Sequence, residues 1–433
     1  MLMNYIIILL VLFCGYKILI NRGQVRFDWF VCSMMFFTSS IIVISKPQIP
    51  CHRLFLICYW LSVYKNKEYK GIKFPLKWPL IIYVLTLLII SFNASHISVF
   101  YKIYKPFVFL LDSYFVLLLT KYGVEKENFM SKNIVYTLLF VTIYGIITLL
   151  TRSNPIQSII ASAFGRTLLD SYYWGSRIRI TSTWSHPIAY GLVCAALFFE
   201  YLPFWKKKVI MVLMALLAIN VFICGSRTAL AAFLLMGGII VLSRYSLSRA
   251  FRQVVLLIVI LIPVYLAVPF VQDKVDSVIN TAQGNDDVGG SSLEMRDEQT
   301  YYAMLIVAEK PLLGHGLDYI MEGLGYGTDN YKGDWHMLGF ESYSYVLLIE
   351  RGFIGFFLEL FLWLAIIAYA FKNRKVDKED ASLIIAYTLG FAFFSMSTGV
   401  LDTKIPMMFM TGVALSKLSK RKQSSAYSVL KYP

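Results

Sequence analysis

The chain has 433 residues, of which 58% are hydrophobic and only 15% are charged. A soluble domain carries about a quarter charged residues, so this composition excludes an ordinary soluble protein and predicts that most of the chain lies in lipid. The formal net charge of +15 would fit nucleic-acid binding. Most of the lysines flank apolar runs on one side, however, and this placement argues against nucleic acid as a partner.

Apolar runs of about 16 to 22 residues alternate with short polar clusters, and this is the length that a helix needs to cross a bilayer. We therefore predict an all-α, polytopic integral membrane protein with about 12 to 14 transmembrane helices. The first run is interpreted as a span because it is too long for a signal peptide and lacks a small-residue cleavage site. The predicted spans are 2–20, 29–45, 49–64, 78–95, 99–120, 134–151, 187–204, 209–224, 228–243, 254–271, 353–371, 382–399 and 405–416.

The basic residues predict the orientation of these spans, because lysine and arginine concentrate in cytoplasmic loops. With thirteen spans, five basic clusters fall on one face, which places the N-terminus outside and the C-terminus inside. The predicted organisation is N-terminal spans in 1–151, an arginine-rich periplasmic loop in 152–186, central spans in 187–271, a large periplasmic loop in 272–352, C-terminal spans in 353–416 and a cytoplasmic tail in 417–433.

The first outer loop contains Arg152, Arg166, Arg177 and Arg179 but no lysine. Basic residues are unfavoured on this side, and the planar guanidinium matches phosphate or carboxylate better than an ammonium does. Arg152 and Arg166 fit either such a ligand or lipid headgroups. Arg177 and Arg179, which lie close together before Pro187, favour an anionic ligand.

The second outer loop contains more than half of the acidic residues of the chain. Within it, Ser291 to Glu294 form a capping box, which predicts a helix that carries Arg296 and ends at Lys310-Pro311. The pair Asp286-Asp287 lies in a glycine-rich stretch without further ligands, so we predict no metal site. Elsewhere, Lys102, Lys105 and Asp112 share one face of a span at helical spacing, and they either line a groove or pair with one another.

Three stretches resemble the bacterial O-antigen polymerase and O-antigen ligase superfamily of membrane glycosyltransferases. The first is Arg179 to Pro187, and the second is Cys224 to Ala229, which includes a Ser-Arg turn. The third matches the large periplasmic loop of the family and the span that follows. It comprises Arg296, Lys310-Pro311-Leu312-Leu313-Gly314-His315-Gly316, Glu341-Ser342-Tyr343-Ser344-Tyr345 and Glu350-Arg351-Gly352-Phe353-Ile354-Gly355.

The resemblance implies a GT-C-like membrane fold in the bacterial inner membrane, with an active site that faces the periplasm. It implies a metal-independent, inverting glycosyl transfer from an undecaprenyl-diphosphate-linked glycan, without a cofactor. The implied partners are the lipid-linked donor and acceptor glycans, membrane lipid and a chain-length regulator protein. Ligases of the family begin the motif at Glu341 with a histidine, so Glu341-Ser342 favours a polymerase that joins oligosaccharide repeats into surface polysaccharide.

Two other functions stay open. One is a ligase that moves finished glycan onto lipid A core or a protein, with His315 or His336 in place of the missing histidine. The other is a lipid-glycan flippase or transporter. Transporters usually show repeated halves, and this sequence contains no repeat.

The implied reaction needs a stabilised diphosphate leaving group and a base for the acceptor hydroxyl. Arg179, Arg227 and Arg296 are the predicted diphosphate ligands, and Glu341 is the predicted base. Arg296 has the alternative of pairing on its own helix, and Glu341 that of a solvated loop residue. Further predicted substrate-binding residues are Arg177, His315, His336, Tyr343 and Tyr345, of which the two tyrosines stack on sugar rings or are ordinary interfacial aromatics.

Overall fold

The computed structural model describes residues 2–37, 40–44, 49–66, 75–112, 129–164, 178–244, 272, 276, 293–326, 332–333, 342–399 and 403–430, with the backbone alone for 293–296 and 425–430. The described residues contain fourteen α-helices and one two-stranded hairpin. They are α1 Leu2–Ile20, α2 Gly23–Phe36, β1 Ile42–Ile44, β2 Ile49–Pro50, α3 Cys51–Lys65, α4 Lys77–Phe92, α5 Val99–Leu110, α6 Lys132–Thr151, α7 Pro155–Phe164, α8 Pro187–Tyr201, α9 Lys208–Ile223, α10 Arg227–Arg244, α11 Leu293–Glu309, α12 Tyr343–Lys372, α13 Lys378–Met396 and α14 Lys404–Leu430.

Five of the described helices are long and apolar enough to cross a membrane. They are α1, α6, α8 with the 3₁₀ turn Leu202–Phe204 that follows it, α10 and α12. The protein is therefore an all-α, multi-pass membrane protein, as the hydrophobic runs predict. The count of 12 to 14 spans stays a prediction, since spans such as 254–271 lie outside the described residues.

The predicted span 29–45 is wrong in its second half. The helix that contains its first half is α2, which ends at Phe36, and residues 42–44 form strand β1. Strand β1 pairs with β2 in antiparallel register, with Ile42 opposite Pro50. The β-branched run Ile41-Ile42-Val43-Ile44 favours an extended chain, and Pro47 and Pro50 lack the amide hydrogen that a continuing helix needs.

Helix α8 lies at the centre of the bundle and packs against α9 and α10. Pro187 begins it, and the amide of Ile188 donates a hydrogen bond to His186 Nδ1 over 3.3 Å. On one side of the bundle, α13 packs against α10, α12 and α14. The boundary predicted at residue 416 falls inside α14, where Lys417 Nζ lies 3.5 Å from Glu200 Oε1 at the end of α8.

Helix α12 is broken at Gly352, whose φ and ψ are 61° and −170°. The part from Phe353 to Lys372 has 20 residues and is about 30 Å long at 1.5 Å per residue, which matches the hydrocarbon thickness of a bilayer. The part from Tyr343 to Arg351 therefore extends beyond a full span. Helix α4 packs along α12, and α5 packs against α4.

The segment 311–316, which follows α11, docks against this break through four backbone hydrogen bonds. The amides of His315 and Gly316 donate to the carbonyls of Ile349 and Glu350, each over 2.9 Å. In return, the amides of Phe353 and Ile354 donate to Pro311 and Leu312 over 2.8 and 3.1 Å. In an unbroken helix these four groups of α12 would pair with one another, so the docked segment replaces the hydrogen bonds that the break removes.

Gly352→Ala is expected to lower the free energy of unfolding by about 1–3 kcal/mol or more, because a side chain strains this backbone conformation. The added Cβ would also lie 2.4 Å from the carbonyl oxygen of Leu312. The matched control is Gly238→Ala inside α10, where a Cβ meets no atom within 4 Å and the helix gains about 0.5–1 kcal/mol. Thermal unfolding of both variants in detergent measures the difference, and equal midpoints would contradict the role of Gly352.

Candidate active site

The structure describes only part of the predicted site. Arg177, His336 and Glu341 lie outside the described residues, and Arg296 is placed near the start of α11 by its backbone alone. The roles predicted for these four residues stay predictions.

Arg179 lies half-buried at the start of a chain segment that is held firmly inside the bundle. Ser182 in this segment adopts a φ of 51° and donates its hydroxyl hydrogen bond to Val141 O over 2.6 Å. The Asn154 amide group donates to the carbonyl of Ser182 over 2.7 Å, and the Thr183 hydroxyl donates to Met35 O over 2.6 Å. Backbone carbonyls of α2 and α6 and the side chain of Asn154, just before α7, thus hold the segment from which Arg179 extends.

Arg227 is the first residue of α10 and is half-buried. Gly225 before it adopts a φ of 68°, and Ser226 Oγ accepts a hydrogen bond from the amide of Ala229 over 3.1 Å. This serine therefore acts as the N-cap of the helix. A helix N-terminus carries partial positive charge and the guanidinium adds to it, and positive charge of this kind favours an anion.

His315 and Tyr345 each form a hydrogen bond with a residue of α11. His315 is buried, its Nε2 donates to Ile306 O over 3.0 Å, and its ring stacks on Tyr319 with centroids 4.2 Å apart. The hydroxyl of Tyr345 lies 2.6 Å from Thr300 Oγ1. Both residues thus connect α11, the helix that contains Arg296, to α12. Their contact with substrate stays a prediction.

Tyr343 lies in a buried polar network that the sequence did not predict. Its hydroxyl accepts hydrogen bonds from Arg351 Nη2 over 3.1 Å and from Lys404 Nζ over 2.9 Å. Arg351 Nη1 also donates to Glu359 Oε2 over 3.2 Å and to the hydroxyl of Tyr83 over 2.9 Å. Glu359 accepts a hydrogen bond from that tyrosine as well, and its Oε1 lies 3.7 Å from Lys404 Nζ. We call these five residues the Arg351 network.

The ring of Phe109 in α5 covers both cations of the Arg351 network. Its centroid lies 3.7 Å from Arg351 Cζ and 3.9 Å from Lys404 Nζ, which are short distances for cation–π contacts. Three residues further along the chain, Asp112 forms an ion pair with Arg53, in which Arg53 Nε donates over 2.8 Å. The network therefore continues into α3 and α5 through aromatic and ionic contacts.

A second set of contacts lies on the other side of the break. Glu350 Oε1 accepts a hydrogen bond from the amide of Ile320 over 3.4 Å, and Lys105 Nζ lies 2.6 Å from Asp318 Oδ2. His96 Nε2 donates to Leu317 O over 3.1 Å, and burial lowers the pKa of this imidazole. Lys105 and Asp112 thus each form an ion pair with a residue of another element, and not with one another.

Three members of the Arg351 network carry a weak sequence signal. Arg351 lies in one of the motifs quoted above, Glu359 is an acid inside an apolar run, and Lys404 precedes the last predicted span. Ionisable residues within a span are rare and are a sign of function by default. That rule would have found Glu359, but no pattern in the sequence links it to Tyr83, which lies 276 residues away. Among the described residues, no cluster of His, Cys, Asp and Glu is suited to hold a metal ion.

A comparison with protein families matches the central part of the chain. Residues 211–360 match the family model described as O-antigen ligase. The chain carries an O-antigen ligase family domain. The resemblance predicted from the motifs is confirmed, and the protein is a membrane enzyme of the O-antigen ligase and polymerase kind that acts on glycans. No curated protein matches the chain. The O-antigen ligase domain begins within α9 and ends directly after Glu359, so it includes Arg227, the docked segment 311–316 and the helix break.

Glu359→Gln is expected to lower the free energy of unfolding by about 3–5 kcal/mol, because it leaves two buried cations without their shared carboxylate. The control is Glu309→Gln at the end of α11, where the carboxylate is 67% exposed and the expected change is within about 0.5 kcal/mol. Thermal unfolding of the purified protein measures both changes. Equal midpoints for the two variants would show that the buried carboxylate does not stabilise the fold.

Proposed function

We propose that the protein polymerises undecaprenyl-diphosphate-linked oligosaccharide repeats into a surface polysaccharide, such as O-antigen, capsule or exopolysaccharide. The observation that carries this proposal is the match of residues 211–360 to the O-antigen ligase family, because that range contains Arg227, Arg296 and Glu341. The charge pattern of the loops supports an active site on the periplasmic face of the bacterial inner membrane. A chain-length regulator protein is part of the same proposal.

In the proposed reaction, Arg179, Arg227 and Arg296 bind the diphosphate of the donor. Each charge-assisted hydrogen bond contributes about 1.5–3 kcal/mol, and these contacts strengthen as negative charge develops on the leaving group. The capped start of α10 supports this assignment for Arg227, because the helix N-terminus stabilises the same anion.

Glu341 is the proposed base. It takes the proton from the acceptor hydroxyl while the oxygen attacks the anomeric carbon of the donor sugar. The bond from that carbon to the diphosphate breaks, and the diphosphate leaves with the electron pair. Attack opposite to the leaving group inverts the anomeric configuration, and positive side chains supply the charge stabilisation without a metal ion.

Ligase activity is the second candidate, because the matched family is described as O-antigen ligase. The acceptor would then be a hydroxyl of lipid A core or of a protein. The residue that begins the motif Glu341-Ser342-Tyr343-Ser344-Tyr345 favours polymerisation, since Glu341 stands where ligases have histidine. A flippase or transporter is disfavoured, because the matched family is one of enzymes.

Arg227→Ala is expected to leave the protein inserted in the membrane but to abolish long-chain polymer, because the diphosphate loses a charged ligand. The matched control is Arg244→Ala at the opposite end of α10, where Arg244 Nε donates to Ser382 Oγ over 2.9 Å. Both variants are expressed in a deletion strain, and the surface glycan is analysed on a gel.

Single-repeat glycan with Arg227→Ala and long chains with Arg244→Ala would support a polymerase. Long polymer that stays on its lipid carrier would instead indicate loss of a ligase. Normal polymer from Arg227→Ala would remove this arginine from the site.

Glu341→Gln is expected to lower kcat by about 10²- to 10⁴-fold, which is the usual contribution of a general base. The assay measures extension of undecaprenyl-diphosphate-linked repeats by purified protein, with Glu309→Gln as the control. Near-normal turnover by Glu341→Gln would eliminate Glu341 as the base, and absence of extension by the wild-type protein would refute polymerisation.

A further inference from the structure

The start of α12 is anchored by a side chain that points into the protein interior. Tyr343 is the first residue of this helix and is 1% exposed. Ser342 before it is the N-cap, and its Oγ accepts a hydrogen bond from the amide of Ser344 over 3.2 Å. The proposed base, Glu341, is the next residue toward the N-terminus, two peptide units from the anchored tyrosine.

We infer that Tyr343 is a positioning residue for glycosyl transfer: Arg351 and Lys404 hold its hydroxyl and thereby fix the start of the helix that follows Glu341. This inference rests on the proposed function, because it gives Glu341 the role of base. Tyr343 itself does not touch the substrate in this scheme.

Two cations reach the same oxygen from different elements. Arg351 belongs to α12 and donates from eight residues further along that helix, whereas Lys404 is the first residue of α14. The ammonium of Lys404 also lies 4.8 Å from the centroid of the tyrosine ring. Rotation or fraying of the first turn of α12 would break all of these contacts. The hydroxyl therefore adds a buried anchor to a helix end that is also held by its N-cap and by the contact of Tyr345 with Thr300.

The cations keep other partners when the hydroxyl is removed. Arg351 retains Glu359 and the hydroxyl of Tyr83, and Lys404 retains Glu359. In Tyr343→Phe the ring still fills its place, and only one oxygen atom is lost. The substitution thus loosens the helix start while the Arg351 network persists. Positioning errors of about 1 Å lower enzymatic rates by about 100-fold, so we expect kcat to fall by about 10- to 100-fold.

The test measures kcat and KM for carrier-linked repeats with the purified full-length protein. Tyr343→Phe is expected to show the fall in kcat with KM changed by less than about threefold, because the diphosphate ligands are untouched. The matched control is Tyr387→Phe in α13. That tyrosine is also buried, and its hydroxyl donates to Glu200 Oε2 over 3.0 Å near the opposite end of the bundle. The kcat of the Tyr387→Phe variant should stay within about twofold of the wild-type value.

A double substitution separates positioning from a merely structural role. In the Glu341→Gln background, Tyr343→Phe should have almost no further effect, because residues that act as one unit are not additive. A structural defect would instead lower the amount of active enzyme by the same factor in both backgrounds. An unchanged kcat in Tyr343→Phe, or a full further loss in the double variant, would overturn the inference.

The same variants distinguish this inference from the proposed function. If the wild-type protein transfers glycan to a lipid A core acceptor but extends no repeats, polymerisation is wrong. The comparison of single and double variants is then made in the transfer assay. In that assay, little further loss from Tyr343→Phe in the Glu341→Gln background supports the positioning role of Tyr343. A full further loss overturns it.

Discussion

A helix that breaks inside an apolar bundle frees backbone groups that water cannot reach, and these groups need new partners. At Gly352 the freed carbonyls of Ile349 and Glu350 accept hydrogen bonds from the docked segment 311–316, and the freed amides after the glycine donate to it. Gly314 allows this close approach, since a Cβ there would lie 2.5 Å from the amide nitrogen of Arg351. Because the same segment ends α11, the break determines where the helix with Arg296 lies.

The Arg351 network stabilises the same break through side chains. Arg351 directly precedes the glycine, and its hydrogen bonds reach Tyr343 eight residues before it and Glu359 eight residues after it. Side chains thus connect the two halves of α12 where the backbone hydrogen bonds of the helix are interrupted. Burial of two cations beside one carboxylate is a costly way to gain stability alone. We therefore attribute the network to the fixed geometry that it gives to the start of α12.

The elements that the sequence predicted are those with strong local signals. Pro187 marks the start of α8, Pro311 follows the end of α11, and the long apolar runs of α1 and α6 are spans. One helix boundary was not predicted because a tertiary contact decides it. Helix α12 begins at Tyr343, ten residues before the predicted span 353–371, since buried partners satisfy its polar first turns. The Arg351 network was missed because its members meet only after α4, α12 and α14 have packed.

The boundary of the O-antigen ligase domain cuts through the Arg351 network. Arg351, Tyr343 and Glu359 lie inside the matched range, whereas Tyr83 and Lys404 belong to helices outside it. One carboxylate interacts with donors from all three helices, so the loss of either outer helix would remove one partner of the buried Glu359. Helix α14 also reaches α8 through Lys417 and Glu200, which lie at the other end of the bundle. The geometry of the matched region thus depends on helices outside it.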